Sequence, residues 1–454
     1  MLRSVNPVNN QTIATYDEHT PDEVSGIIEE TAAAQIKWAK TSFSKRSSLM
    51  HQAARVLREN LDSYARLMTM EMGKPLIQAK AEVEKCAKVC TFYADNAMDF
   101  LSNEPIKTEA RNSYIAYRPM GIVLAVMPWN FPFWQVFRFA APALMAGNAA
   151  LLKHASNVTG SALAIEEVFC KAGFDTRLFR VLKVPGKKVG EVIDNQHIKA
   201  VTLTGSVGAG KAVASKAGSM LKKTVMELGG SDPYVILEDA DLELAVKSCV
   251  TSRLINGGQS CIAAKRFIVV KPLRKAFEKA FTELMRSKVM ADPLLEHADI
   301  GPQASIDLRD ELHTQVMRSI DKGAQCLLGG VIPEKEGAWY PPTVLTGVDQ
   351  GMPAYHDELF GPVAAIIEAR DEDDAIRIAN DSVFGLGAAV FTTNVEKGRL
   401  LAENSLNAGC CFVNEYVQSD PRLPFGGIGD SGYGRELSYL GIREFTNIKT
   451  VYVK

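Results

Sequence analysis

The spacing of apolar residues divides the chain into an N-terminal helical region and a longer region in which strands and helices alternate. Within residues 46–71 apolar side chains recur every three or four positions, which predicts an amphipathic helix, and the Gly-Lys-Pro stretch at 73–75 predicts its end. Residues 77–102 repeat the pattern. We therefore predict long scaffolding helices over most of residues 21–104.

From about residue 113 the period changes to that of short strands. Residues 114–117 and 121–127 are predicted strands, with a turn between them at 118–121. Short apolar segments then alternate with helical ones, which favours a parallel sheet in a doubly wound α/β domain. The other predicted strands of this series are 149–153, 179–182 and 200–204, and its predicted helices are 161–172, 186–194 and 207–221.

A second alternating series begins at residue 233 and predicts a second α/β unit. The chain then ends in a β-prone tail, residues 447–454, which as a strand would leave an open sheet edge. We predict that this tail pairs with the 113–118 hairpin, in the same subunit or in a neighbouring one. The predicted strands of the second series are 233–237, 266–270, 364–367 and 388–391, and its helices are 241–253, 273–287, 306–322, 373–380 and 394–403.

Composition and charge exclude several classes of protein. The 454 residues are 46% hydrophobic and 23% charged, which suits a large globular enzyme, and a net charge of −2 favours neither nucleic acid nor an anionic membrane as a partner. The most apolar segment, 139–152, is shorter than the about 20 residues that a membrane-spanning helix needs. The chain shows no secretory signal, disulfide framework or metal-ligand spacing, so we expect a cytoplasmic protein without a metal site.

One cysteine lies in a setting that favours chemistry. Cys261 ends the segment Asn-Gly-Gly-Gln-Ser-Cys at 256–261. Most free cysteines are small buried apolar residues, but these glycines permit unusual backbone angles and the close approach of a substrate. A thiolate is a strong nucleophile towards a carbonyl carbon. Since the free pKa of a thiol is near 8.5, backbone N–H groups or a cation must favour the thiolate at pH 7.

Two further residues could act beside such a nucleophile. Glu227 follows a strand-like run and lies between apolar neighbours, which would raise its pKa and suit it to activate water. Asn130 lies in the aromatic loop Pro-Trp-Asn-Phe-Pro at 128–132 and could donate a hydrogen bond to a developing oxyanion. The alternatives are a solvated surface glutamate and an asparagine that only completes a turn.

An arginine lies in the apolar run that follows this loop. Between residues 131 and 152 the only polar side chains are those of Gln135, Arg138 and Asn148. A guanidinium in such surroundings must find an anion or carbonyl oxygens. The sequence leaves open whether Arg138 binds a substrate or is satisfied by a buried glutamate or a helix C-terminus.

Six segments together resemble the aldehyde dehydrogenase superfamily, in its order and spacing and over nearly the whole chain. The resemblance implies an α/β fold with a Rossmann-type cofactor domain, an α/β catalytic domain and a small β oligomerisation domain. We expect these domains at 1–112 with 119–229, at 230–442, and at 113–118 with 443–454. The six segments are Pro128-Trp129-Asn130-Phe131-Pro132, Thr204-Gly205-Ser206, Glu227-Leu228-Gly229-Gly230, Asn256-Gly257-Gly258-Gln259-Ser260-Cys261, Glu358-Leu359-Phe360-Gly361-Pro362-Val363 and Pro424-Phe425-Gly426-Gly427.

The resemblance implies NAD(P)-dependent oxidation of an aldehyde to a carboxylic acid by a homodimer or homotetramer. The Cys261 thiolate would attack the aldehyde, the Asn130 side chain and the Cys261 backbone N–H would hold the oxyanion, and Glu227 would activate the water that hydrolyses the thioester. Glu358 would bind the nicotinamide ribose. The implied cofactor-binding residues are Trp129, Lys153, Ser156, Gly186, Gly190, Thr204, Gly205, Ser206, Glu358 and Phe360.

The cofactor-binding segments depart from the family at a place that bears on the choice of dinucleotide. The family often reads Lys-Pro-x-Glu where this chain reads Lys-His-Ala-Ser at 153–156. The usual glutamate binds the adenosine ribose and repels a 2′-phosphate, and Ser156 removes that charge. Lys153, with Lys187 or Lys188, could pair with the phosphate, so we expect NADP to be favoured over NAD.

The resemblance also implies a short carboxylated aldehyde as the substrate. Arg138 matches an arginine that holds the distal carboxylate in succinate-semialdehyde dehydrogenases, Ile255 stands where some of them have a second arginine, and Ser419 is a candidate second donor. The short bacterial enzymes of this type share Leu-Lys-His-Ala at 152–155. We predict succinate semialdehyde, with glutarate semialdehyde or a broad range of aliphatic aldehydes as alternatives.

A remote alternative is a P-loop nucleotide-binding protein. Residues 205–212 lie between a predicted strand and a predicted helix and nearly spell a phosphate-binding loop. Ala212, however, stands where that loop needs a hydroxyl residue for Mg²⁺. The segment 427–432 matches GxGxxG but lacks the strand–helix context of a dinucleotide fingerprint.

Overall fold

The computed structural model describes all 454 residues of the chain. Three short 3-10 segments, 156–158, 186–188 and 255–258, supplement the α-helices. No helix combines the length and the hydropathy that crossing a membrane requires. The α-helices are α1 (Pro21–Trp38), α2 (Phe43–Glu59), α3 (Leu61–Met72), α4 (Leu76–Phe100), α5 (Trp134–Met145), α6 (Thr159–Lys171), α7 (Val189–Asp194), α8 (Val207–Ser219), α9 (Leu242–Leu254), α10 (Lys271–Arg286), α11 (Ile306–Asp321), α12 (Pro353–His356), α13 (Glu372–Asn380), α14 (Val395–Asn404) and α15 (Ser438–Glu444).

The strands form three larger sheets and two small two-stranded ones. They are β1 (Leu2–Val5), β2 (Thr12–Tyr16), β3 (Glu104–Pro105), β4 (Asn112–Pro119), β5 (Ile122–Met127), β6 (Ala149–His154), β7 (Phe179–Val181), β8 (Ile198–Thr204), β9 (Lys223–Glu227), β10 (Pro233–Ile236), β11 (Arg266–Val270), β12 (Gln325–Leu328), β13 (Thr343–Thr346), β14 (Val363–Ala369), β15 (Phe384–Gly385), β16 (Gly387–Phe391), β17 (Cys410–Val413), β18 (Ile428–Gly429), β19 (Gly432–Tyr433) and β20 (Thr446–Val453).

The N-terminal region forms four helices, as its apolar spacing predicts, but with an extra break. α1 begins at a capping box in which the Thr20 side chain accepts from the Glu23 N–H and the Glu23 carboxylate accepts from the Thr20 N–H. The single helix predicted over 46–71 is divided at Asn60 into α2 and α3. α3 ends at Gly73, whose φ of 81° is left-handed and favours glycine.

The first sheet has the order β19-β9-β8-β5-β6-β7, and only the edge strand β19 is antiparallel. From β5 the chain passes outward to β6 and β7 and then returns to the other side as β8 and β9. This reversal is the doubly wound arrangement that the strand–helix alternation predicts, and ligands bind such sheets at the carboxyl ends of the strands.

The second sheet has the order β12-β13-β14-β11-β10-β16-β17, parallel except at β12. Side chains of successive strand residues alternate between two apolar cores, so Val235 and Ile268 lie on one face and Tyr234 and Phe267 on the other. The predicted α/β unit is confirmed, but β12, β13 and β17 were not predicted. β12 and β17 are the two edges of the sheet, and none of their side chains is fully buried, so neither shows the buried apolar run of an inner strand.

The third sheet joins the two ends of the predicted β-arm within one chain. β20 pairs antiparallel with β4 along its whole length, and β3 pairs with the other edge of β4. The predicted pairing of the C-terminal tail is therefore confirmed. The predicted turn at 118–121 does not join paired strands, because both edges of β5 are occupied by β6 and β8 of the first sheet.

Candidate active site

Two cavities, each of about 380 Å³, meet at Cys261, and this residue lines both of them. The first cavity opens at the carboxyl ends of β5, β8 and β9. The second lies against α4 and α5. Predicted residues in the wall of the first cavity are Trp129, Asn130, Thr204, Gly205, Ser206, Glu358 and Phe360. The wall of the second includes Glu82, Lys85, Trp134, Arg138, Ile255, Tyr416, Ser419 and Phe425.

The backbone before Cys261 requires glycine at two positions. Asn256, Gly257 and Gly258 are consecutive left-handed residues, with φ values of 55°, 60° and 78°. A Cβ at position 258 would overlap the backbone of Gly361. The Asn-Gly-Gly part of the motif is therefore explained by a tight turn that packs against the Phe-Gly-Pro segment of another motif.

Buried polar groups hold this turn in place. The Asn256 side-chain amide donates to the carbonyl oxygens of Asn130 and Gln259, at 2.7 and 3.0 Å. The Lys265 ammonium donates to the carbonyl oxygens of Ser260 and Cys261, at 2.9 and 2.6 Å. These bonds fix the position of Cys261 relative to the Asn130 loop.

The Asn130 side chain lies close enough to the cysteine turn to act on the same group. Its amide nitrogen donates to the Gln259 carbonyl oxygen at 3.1 Å. An amide NH₂ has two hydrogens, so one donor remains for a group in the cavity. The predicted oxyanion donor thus lies beside the predicted nucleophile.

The Cys261 thiol is partly exposed to the cavities but strongly desolvated. Burial raises its pKa to about 12, although the charges of Lys265 and Arg138 act in the opposite direction. The sequence analysis expected backbone N–H groups or a cation to favour the thiolate. Two cations are present, but burial outweighs them, so that expectation is wrong for this structure. The sulfur is therefore a thiol at neutral pH and must lose its proton before it attacks a carbonyl carbon.

Glu227 ends β9 and is buried directly before Leu228 and Gly229, which line the first cavity. Burial, followed by repulsion from Glu436, raises its pKa well above the ordinary value, and Arg138 and Arg435 oppose the shift. Neither carboxyl oxygen accepts a hydrogen bond from the protein. A Cβ at Gly426 would lie 2.7 Å from Glu227 Oε1, so the glycine lets that backbone approach the carboxyl group. A poorly solvated carboxylate of this kind is a suitable base for water.

Arg138 has a protein partner that the sequence analysis left as an alternative. Its guanidinium forms an ion pair with the buried Glu436 carboxylate. It also lies over the Phe425 ring, with its central carbon 4.7 Å from the ring centroid, and 3.4 Å from the Thr204 hydroxyl. Arg138 nevertheless lines the second cavity. Its positive charge there is largely balanced by Glu436.

Glu358 and two aromatic rings give the first cavity the groups that a nucleotide needs. The Glu358 carboxylate accepts from the Gly230 N–H at 3.0 Å and lies 3.6 Å from the Lys265 ammonium. A Cβ at Gly229 would overlap that carboxylate, which explains the first glycine of Glu-Leu-Gly-Gly. The Trp129 and Phe360 rings meet edge to face, with centroids 5.7 Å apart. A carboxylate for ribose hydroxyls beside aromatic surfaces fits a nicotinamide ribose.

The start of α8 adds an anion-binding element to the same cavity. Ser206 is the N-cap of this 13-residue helix, and its hydroxyl accepts from the Ala209 N–H. N-terminal N–H groups and the helix dipole favour a phosphate at such a position. Together with Glu358, this fits a dinucleotide.

Four predicted cofactor residues lie outside the wall of the first cavity, around the ends of neighbouring strands. Lys153 is near the end of β6, and burial lowers the pKa of its ammonium. Ser156 follows in the first 3-10 segment. Gly186 begins the second, after β7, and Gly190 lies in α7. All four are at the same edge of the first sheet as the cavity.

Several residues of the site were not singled out in the sequence. Lys265 and Asn256 hold the cysteine turn, Glu436 neutralises Arg138, and Lys85 brings a second cation to the second cavity. Asn256 could have been found as a left-handed asparagine before glycine. Lys85 gave no signal, because it lies in a helix that reads as scaffold.

Two cavities that meet at one cysteine, on a doubly wound fold, are the arrangement of a dinucleotide-binding enzyme. Residues 1–451 match the aldehyde dehydrogenase family, so the chain belongs to this family. It is an NAD(P)-dependent oxidoreductase that acts on aldehydes. The fold class and the motif-based resemblance are thereby confirmed, and the P-loop alternative has no support.

Individual relatives are similar over their full lengths. A probable succinate-semialdehyde dehydrogenase of Synechocystis, named for NADP, is 48% identical over 452 residues, covering 100% of this chain and 99% of that protein. The Escherichia coli succinate semialdehyde dehydrogenase named for NAD(P) is 45% identical, with coverages of 99% and 97%. The crystal structure of the Streptococcus pyogenes succinic semialdehyde dehydrogenase with NADP has a TM-score of 0.98 at 36% identity, and each chain is covered completely.

Proposed function

We propose that this enzyme oxidises succinate semialdehyde to succinate and prefers NADP. The single observation that carries the proposal is the position of Cys261 between a cavity suited to a dinucleotide and a cavity lined by Arg138 and Ser419. An aldehyde in the second cavity would present its carbonyl carbon to the sulfur and its distal carboxylate to basic and hydroxyl groups. The names of the similar proteins support the same substrate and cofactor.

Asn130, Cys261 and Glu227 would divide the chemistry between them. The Cys261 sulfur, after loss of its proton, forms a bond to the aldehyde carbon, and the carbonyl oxygen becomes an oxyanion that accepts from the Asn130 side chain and the Cys261 N–H. A bound NADP supplies the acceptor for the hydride that leaves this carbon. Glu227 takes a proton from water, whose oxygen bonds to the thioester carbon, and the carbon–sulfur bond breaks to release the acid.

For the dinucleotide, Glu358, Phe360, Trp129 and Ser206 would hold the nicotinamide half. Lys153 and Ser156 would face the adenosine ribose and favour its 2′-phosphate. Lys187 is the better second cation, because Lys188 lies 3.9 Å from the Glu18 carboxylate whereas Lys187 is exposed. Exposed cations contribute little in water, so Lys153 would supply most of the preference.

We also propose a cytoplasmic homodimer or homotetramer assembled through the β-arm, residues 113–118 and 443–454. β20 is an edge strand, and Ile448 and Tyr452 on it are 61% and 57% exposed. Apolar side chains on an open edge favour pairing with a second copy. The mass of the particle by light scattering tests this, and a monomer at micromolar concentration would contradict it.

A panel of aldehydes tests the substrate assignment. The panel contains succinate semialdehyde, glutarate semialdehyde and the uncharged butanal and pentanal, each with NADP and NAD, followed at 340 nm. We expect kcat/KM for succinate semialdehyde to exceed that for butanal by about 10- to 100-fold, since a charged hydrogen bond is worth about 1.5–3 kcal/mol. Equal values for charged and uncharged aldehydes would overturn the assignment, and a higher value for glutarate semialdehyde would change it.

A further inference from the structure

The second cavity contains two cations, and only one of them has a protein counter-ion. Arg138 is paired with the buried Glu436 carboxylate. Lys85, on α4, lines the same cavity and forms no ion pair. Its ammonium lies 4.2 Å from the centroid of the Trp134 ring, on the wall of the cavity. The cavity therefore carries a positive charge that the protein does not neutralise by direct contact.

The carboxylates nearest to Lys85 are engaged elsewhere. Glu82 is paired with the buried Lys74 ammonium and also accepts from the backbone N–H groups of Phe133 and Trp134, each at 2.9 Å. Asp420 accepts two bonds from the Arg422 guanidinium, at 2.9 and 2.6 Å. Neither carboxylate can turn to Lys85 without giving up these partners.

The one hydrogen bond of the Lys85 side chain prepares a second donor. The ammonium donates to the Ser419 hydroxyl oxygen at 2.7 Å. Because this bond occupies a lone pair of the oxygen, the Ser419 O–H is free to donate to another group. An ammonium and a hydroxyl side by side in a partly apolar wall form a site for a carboxylate.

We propose that Lys85 is the residue that determines specificity for a carboxylated aldehyde, binding the distal carboxylate together with Ser419. Arg138, neutralised by Glu436, then acts chiefly as a hydrogen-bond donor in the same wall. The inference rests on the proposed function, because it assigns the charge that this substrate needs. It adds a residue from a helix that carries none of the family motifs.

The titration of Lys85 gives a test that needs no variant. Burial, followed by repulsion from Arg138, lowers its pKa to about 8, while Cys86, Glu82 and Asp420 act in the opposite direction. Lys85 is therefore charged below about pH 8 and loses its charge above it. The ratio of kcat/KM for succinate semialdehyde to that for butanal cancels the titration of Cys261 and Glu227. We expect this ratio to fall as the pH rises from 7 to 9.5.

Substitution gives the second test. In Lys85→Met the ratio should fall about 10- to 100-fold, mainly through the KM for succinate semialdehyde, and its pH dependence should disappear. Lys85→Arg should retain most of the ratio. Lys88→Met, an exposed lysine one turn further along α4, is the matched control and should leave the ratio unchanged. Thermal melting of each variant reports its folding.

The outcomes separate this inference from the proposed function. A wild-type ratio near one would overturn the proposed substrate and the role of Lys85 together. A high wild-type ratio that is independent of pH and unchanged in Lys85→Met would overturn the role of Lys85 alone. If Lys85→Met does not fold, Lys85→Gln and the pH profile of the wild-type enzyme decide the question.

Discussion

The two cavities that meet at Cys261 differ in how they are built. The first is formed mainly by motif segments that follow β5, β8 and β9 and by the motif at 358–363, and one face of α11 completes its wall. The second is formed mainly by side chains from α4, α5 and the 416–425 loop, and the segment around Cys261, residues 255–263, completes its wall. In a parallel sheet the carboxyl ends of the strands lie at one edge, whichever residues surround them. The positions of side chains on packed helices depend instead on the packing of the whole core.

We infer from this difference that the backbone of the first cavity tolerates little change, whereas the side chains of the second cavity can change more freely. The backbone of the first cavity is constrained by close approaches, such as that of Gly229 to the Glu358 carboxylate. The second cavity is constrained by counter-ions: Glu436 for Arg138, and Glu82 for Lys74. A changed charge in the second wall would alter the accepted aldehyde without disturbing the dinucleotide site. We test this independence below, beginning with the residue that both cavities share.

Replacing the shared sulfur should have the largest effect. We expect Cys261→Ser to lower kcat by at least about 10⁴-fold, because a serine hydroxyl without a paired base is a poor nucleophile. NADP binding, measured by fluorescence titration, should persist, since the first cavity has its other groups. Cys170→Ser, at an exposed cysteine, is the control. Undiminished turnover in Cys261→Ser would remove the basis of the mechanism.

Replacing Glu227 should separate the two chemical steps. Glu227→Gln keeps the shape of the side chain but cannot accept a proton, so steady-state turnover should fall about 10²–10⁴-fold. Rapid mixing should still show a burst of about one equivalent of reduced dinucleotide, because the thioester forms before water attacks. Glu243→Gln, on the surface, should behave as the wild type. If the burst disappears as well, Glu227 is needed to remove the Cys261 proton.

The pH dependence of Cys261 alkylation tests whether burial raises the pKa of the Cys261 thiol. With its pKa raised to about 12, the thiol is almost fully protonated at pH 7, and the thiolate fraction increases about tenfold per pH unit. Without a dinucleotide, the rate of alkylation of Cys261 by iodoacetamide should rise about 100-fold between pH 7 and pH 9 and continue to rise. Cysteines of the urea-unfolded chain should approach a plateau above pH 9. A plateau in the folded enzyme below pH 9 would contradict the shift.

The same contrast explains what could be predicted from the sequence. The doubly wound sheet could be predicted from strand alternation, which is a local signal. Cys261, Glu227 and Asn130 could be singled out as candidates because each is a polar residue in a glycine-rich or aromatic segment. The position of β20 against β4 could be predicted from its unpaired edge. β12 and β17 could not, since they are edge strands whose side chains are exposed or only partly buried.

The counter-ions could not be assigned for a related reason. The sequence indicates that Arg138 needs a buried anion, but Glu436 lies 298 positions further along, beyond any local pattern. Lys85 could not be recognised as a site residue, because the periodic pattern around it predicts only a helix. Both become visible only when α4, α5 and the C-terminal segment pack together. Polar residues of the second cavity therefore require the tertiary structure.

The smallest expected effect tests the predicted cofactor residues outside the first cavity, at the end of β6. Ser156→Glu places a carboxylate after β6, near where the adenosine 2′-phosphate would lie beside Lys153. One repulsive charge near the surface is worth about 1–4 kcal/mol, so the preference for NADP over NAD should fall about fivefold or more. Ser156→Gln is the control for size. If the cavities are independent, the KM for succinate semialdehyde at saturating dinucleotide should stay the same. A shift in that KM would show that the dinucleotide site and the second cavity are coupled. The coupling would pass through Cys261, because this residue lines both cavities.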